Sequence, residues 1–124
     1  MKKIIALLLF VLVLSGCAAQ SKKTEYRQIA TDEAINIMKE EKDYIILDVR
    51  TPEEFKSKHI PGAINIPNET IGTEELPDKE QLILIYCRSG NRSKQAAEKL
   101  AEQGYTNIVE FGGINDWTGE TVTE

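Results

Sequence analysis

Histidine and cysteine are scarce in this chain, with one of the first and two of the second among 124 residues. So few soft ligands argue against a dedicated zinc site. No Cys-x-x-Cys pair stands anywhere, which removes a thioredoxin-type redox couple. Long apolar runs are also lacking. The stretch Ile4 to Leu14 falls well short of the roughly 20 residues a membrane-spanning helix needs. Positive charge is in deficit, with 15 Lys and Arg against 20 Asp and Glu and a net charge of -5. That balance disfavours nucleic acid or an anionic membrane surface as a partner. Internal repeats and low-complexity tracts are absent. What is present is a hydrophobic fraction of 41%, enough for one folded domain with its own core.

The first residues read as a targeting segment. Lys2 and Lys3 precede the apolar run, which ends in Leu14-Ser15-Gly16-Cys17. This ending resembles a bacterial lipobox, in which the cysteine is lipidated and becomes the new N-terminus. The resemblance implies a cleaved signal peptide over 1–16, a lipidated tether over 17–23 and a domain over 24–124. It also implies an extracytoplasmic protein anchored to a bacterial membrane through Cys17. An ordinary secretory signal, with no special role for Cys17, is the alternative. With Cys17 lipidated, Cys87 is the remaining thiol and no internal disulfide can form. An unpaired cysteine in a secreted chain points to intermolecular pairing or a reactive role.

Further along, short apolar runs alternate with helical patterns. Tyr26 to Ile29 reads as an edge strand, and Thr31 as the N-cap of a helix with Asp32 and Glu33 in its first turn. Tyr44 to Val49 reads as a buried strand. Thr51-Pro52-Glu53-Glu54 predicts a helix start with a capping box, proline at the first helical position. A turn then leads to a short strand before Pro67, and one helical turn is expected around Ile71 to Leu76. Leu82 to Tyr86 is a continuous apolar run, as in a strand covered on both faces. Ala96, Ala97, Leu100 and Ala101 recur at helical spacing, and Gly104 stands where that helix should stop. Asn107 to Glu110 reads as the last strand, followed by a glycine turn and a short helix. Five strands in this alternation predict an α/β fold with a central, mainly parallel five-stranded sheet and helices on both faces.

Cys87 falls at the carboxyl end of the apolar run, just before a helix N-terminus, where open α/β sheets place ligands. Helix N-termini carry unpaired N–H groups and partial positive charge, which favour a thiolate. A cysteine after an apolar strand is often only a small buried hydrophobe. The following residues, Arg88, Ser89, Gly90, Asn91 and Arg92, make a poor core and a good anion nest.

Three blocks in order resemble the single-domain rhodaneses, a sulfurtransferase family. They are Leu47 to Phe55 with His59 to Pro67, the loop Tyr86 to Ser93, and Gly112-Gly113-Ile114 with Trp117. Lys58 departs from the glycine usual before the histidine, and the tail after Trp117 is short and polar. The resemblance implies a rhodanese-like fold and transfer of sulfane sulfur through a persulfide on Cys87. The donor would be a small thiosulfate-like anion held by Arg88, Ser89, Gly90, Asn91 and Arg92, and the acceptor a thiol or cyanide. Cys87-x4-Arg92 matches the shorter loop of sulfurtransferases, whereas phosphatases of the same fold use Cys-x5-Arg, and Ser93 stands at that position here.

Asp48 and Arg50 end a strand on the same sheet edge and are expected to support the loop or each other. His59 is expected to be structural, with a Cys/His dyad as the lesser alternative, and Trp117 to be a core or rim aromatic. No cofactor, metal or nucleic acid is expected, and the chain is expected to be a monomer. A non-enzymatic persulfide carrier or partner-docking module of the cell envelope is the alternative to an enzyme.

Overall fold

The structure, a computed structural model, describes residues 25–72 and 76–124; the expected signal peptide and Cys17 lie outside them. Five strands form one sheet: β1 (Arg27–Gln28), β2 (Ile45–Asp48), β3 (Ile64–Asn65), β4 (Ile83–Cys87) and β5 (Ile108–Gly113), in the order β1-β5-β4-β2-β3. Every pairing within it is parallel. Three α-helices join the strands: α1 (Thr31–Glu40), α2 (Pro52–Ser57) and α3 (Asn91–Glu102).

The period-2 alternation of a strand sorts its side chains between two cores. From β4, Ile83, Ile85 and Cys87 join Leu47, Ala96, Ala97, Leu100 and Ile108 beneath α3. Leu84 and Tyr86 point the other way, toward Ala34, Ile46, Val109 and Phe111 beneath α1. β4 is therefore buried on both faces, which explains its unbroken apolar run. Cys87 lies on the α3 face.

Most local signals are honoured. Thr51 and Glu54 form the reciprocal capping box on α2, with Pro52 at the helix start. Thr31 does not cap α1: Ala30 holds that position without a side-chain bond. Thr31 is the first helical residue, and its hydroxyl donates to the Asp116 carbonyl at 3.2 Å. The last strand also outruns its expected end. It continues through Glu110 to Gly113, because Glu110 finds buried partners and Gly113 permits close approach to the neighbouring loop. A Cβ on Gly113 would collide with the Arg88 backbone. Short 3-10 turns occupy Asn68–Thr70 and Ile114–Asp116, the first lying ahead of the helical turn expected around Ile71 to Leu76.

Candidate active site

β4 delivers Cys87 to the carboxyl edge of the sheet, and four residues later α3 begins. Gly90 makes the turn with φ +114°, a left-handed conformation that side chains disfavour. The turn folds the chain back so that the Gly90 N–H donates to Cys87 Sγ at 2.9 Å. The thiol also reaches Ser93 Oγ at 3.4 Å. Cys87 itself is 0% exposed.

Ser93 links the thiol to a second buried group. Its single hydroxyl hydrogen has its shortest path to Glu110 Oε1, at 2.7 Å, with the Gly90 and Gly112 carbonyls at 3.0 and 3.3 Å as alternatives. Glu110 is 2% exposed, and its Oε1 also accepts from the Gly112 N–H at 2.8 Å. A carboxylate thus sits directly under the loop, held by a hydroxyl and an amide. Buried charge demands such partners. Sequence reading missed this role of Glu110 and of Ser93, although an acid inside the apolar run Ile108 to Phe111 was a visible signal.

The two arginines differ. Arg88 is exposed, its side chain has no hydrogen-bond or ion-pair partner among the described residues, and its carbonyl accepts from the Asn115 N–H at 3.2 Å. Arg92, in the first turn of α3, is gripped by Glu54 of α2, with Nη1–Oε1 at 2.7 Å and Nη2–Oε2 at 3.1 Å. Those two bonds hold the Glu54 carboxyl down at about 2. They raise the Arg92 pKa against the opposing effect of burial, and Cys87 adds to the same upward push. Ser89 and Asn91 are exposed on the loop and at the helix start. Of the residues Arg88 to Ser93, Gly90 through its N–H and Ser93 through its hydroxyl reach the sulfur.

Asp48 and Arg50 pair with each other and not with the loop. Arg50 reaches both Asp48 carboxylate oxygens, and its Nη2 also donates to the Lys58 carbonyl. Burial alone would lower the Arg50 pKa, but the Asp48 hydrogen bond and charge outweigh it and leave it raised. The pair braces the chain between α2 and β3. His59 stacks on Phe55 at 3.8 Å, its Nδ1 lies 2.7 Å from the Phe55 carbonyl, and its backbone pairs with Val122. No bond joins it to Cys87 among the described residues. Trp117 packs at 5.9 Å from Phe111 on the opposite core. No group of His, Cys, Asp and Glu among the described residues could hold a metal ion.

Residues 30–120 match the Rhodanese-like domain family. The chain belongs to this family. Its rhodanese domain is 45% identical over 74 residues to the thiosulfate sulfurtransferase PspE of Escherichia coli K12, covering 56% of this chain and 70% of that protein. Among solved structures, the Rhodanese-like domain protein of Staphylococcus aureus superposes with a TM-score of 0.72 at 34% identity, over 80% of this chain and 99% of that one. A rhodanese with anions from E. coli superposes at 0.57 with 40% identity, over 65% and 99%. Homology of this kind makes the rhodanese domain a sulfurtransferase domain. Residues 1–18 match the prokaryotic membrane lipoprotein lipid attachment site. That match points to a membrane-anchored, extracytoplasmic lipoprotein. No helix among the described residues is long and apolar enough to cross a membrane.

Proposed function

We propose that the protein is a lipid-anchored sulfurtransferase that moves sulfane sulfur from a thiosulfate-like donor to a thiol or cyanide through a Cys87 persulfide. The observation that carries this reading is the Gly90 N–H directed at Cys87 Sγ from 2.9 Å at the mouth of a Cys-x4-Arg loop. An N–H aimed at sulfur stabilises the negative charge of both the attacking thiolate and the persulfide. In the first half-reaction the Cys87 thiolate attacks the outer sulfur of thiosulfate. The new sulfur–sulfur bond forms as the old one breaks, and sulfite leaves with the electron pair. In the second, the acceptor attacks the terminal sulfur and regenerates the thiolate. Splitting the transfer through a covalent intermediate gives two easier steps. Arg88, Ser89, Asn91 and Arg92 surround the donor, and the arginine forks suit its oxygens. Asp48 and Arg50 support the site from a distance by fixing the chain that leads into β3.

Because Cys87 is 0% exposed, donor entry requires the side chains at the loop mouth to move aside. Mass spectrometry of the chain after incubation with thiosulfate should show one added sulfur on Cys87, and none on Cys87→Ser. If wild type gains no sulfur from any sulfane donor, Cys87 is a buried hydrophobe and the non-enzymatic docking module becomes the better reading. The anchor is tested separately. Cys17→Ala should abolish lipid modification, and the product should leave the detergent phase. Wild type without lipid mass would refute the anchor.

A further inference from the structure

Resting on the sulfurtransferase reading, the Glu54–Arg92 pair carries a further inference about donor choice. Glu54 meets the Arg92 guanidinium with two oxygens on two nitrogens, at 2.7 and 3.1 Å. Two oxygens of a sulfonate would use the same fork. Arg92 stands in the first turn of α3, two residues after the Gly90 N–H that meets Cys87 Sγ, so an oxyanion held there sits beside the thiol loop. Glu54 is not on the loop. It comes from α2, where Oε1 also accepts from the Thr51 N–H at 3.3 Å and the Thr51 hydroxyl at 3.1 Å. The helix cap therefore sets the carboxylate in place.

We infer that Glu54 is a resident competitor for Arg92 and hence a specificity-determining residue: an oxyanion donor must displace it, whereas a sulfur donor without oxyanion oxygens need not. The pair is accessible to such exchange, its side chains being 30% and 29% exposed. Displacing a pair of this exposure costs up to about 1 kcal/mol, which is about fivefold in affinity at 1.36 kcal/mol per tenfold.

Glu54→Gln tests this, because glutamine keeps the capping-box acceptor while giving up the charge. Thiosulfate should show a KM lower by up to about fivefold with kcat unchanged. The ratio of kcat/KM for thiosulfate to that for an organic persulfide, which has no sulfonate oxygens, should rise by the same factor. Thiosulfate binding to Cys87→Ser, measured by calorimetry, should tighten by up to about fivefold on adding Glu54→Gln, and this needs no turnover. A thiosulfate KM or Kd that rises in the Gln variant would overturn the inference and make Glu54 a clamp that positions Arg92. So would equal changes for both donors, or no thiosulfate binding to either Cys87→Ser chain. Failure of the persulfide reading is separate, since it would show as missing sulfur on Cys87 while the calorimetric shift persisted.

Discussion

Removing the carboxylate beneath the loop tests whether the thiol is held by tertiary structure. In Glu110→Ala the Gly112 N–H loses its acceptor at 2.8 Å, and an unsatisfied buried donor costs about 1–3 kcal/mol. Ser93 loses its shortest partner but still has the Gly90 carbonyl at 3.0 Å, so its contribution is small. One methylene leaves the interior with the carboxylate, at about 0.8 kcal/mol. Relief of a buried charge works against these losses. The balance is a destabilisation of about 1–3 kcal/mol. For a domain of this size that lowers the melting temperature by roughly 4–24 °C, at about 4–8 °C per kcal/mol. Glu110→Gln keeps an oxygen for both donors and should cost about 1 kcal/mol. Urea unfolding gives the free energies, and the alkylation rate of Cys87 reports on the loop locally, rising in Ala relative to Gln. Equal losses for the Ala and Gln variants, or a loss under about 1 kcal/mol for Ala, would show that Glu110 does not anchor the loop.

Two further outcomes follow from the ion pairs. Asp48→Ala strands the buried Arg50 guanidinium and should cost about 3–5 kcal/mol in urea unfolding, whereas replacing both partners by apolar residues of similar volume should cost much less; similar losses for the two would refute the pairing. The Glu54 carboxyl is lowered from 4.5 to about 2, chiefly by the Arg92 hydrogen bond. Its stabilisation is therefore complete above the unfolded value and lost as pH falls toward the folded one. The stability gap between wild type and Glu54→Gln, up to about 1 kcal/mol for a pair this exposed, should shrink between about pH 5 and pH 3 in urea midpoints. A pH-independent gap would mean that the charge contributes nothing.

Several features of this protein are set within a few residues of sequence. The capping box at Thr51 and Glu54, the proline at the start of α2 and the apolar run of β4 depend on near neighbours. The same holds for Cys87 at the junction of strand and helix, since the run that ends there and the helical spacing that follows are both local patterns. Repetition of such units then implied a parallel sheet, and all four pairings are parallel.

Partner choice was not local. Arg92, legible as a free cation beside the thiol, is paired with a carboxylate 38 positions away. Glu110, legible as the end of a strand, continues it and meets Ser93 17 positions earlier in the chain. Thr31 forgoes its cap to bond a carbonyl 85 positions distant. In each case the side chain had several admissible partners. The choice fell to whichever polar group the packed sheet and helices brought within about 3 Å, because a charge or hydroxyl wholly or partly withdrawn from water is satisfied by what the fold places beside it.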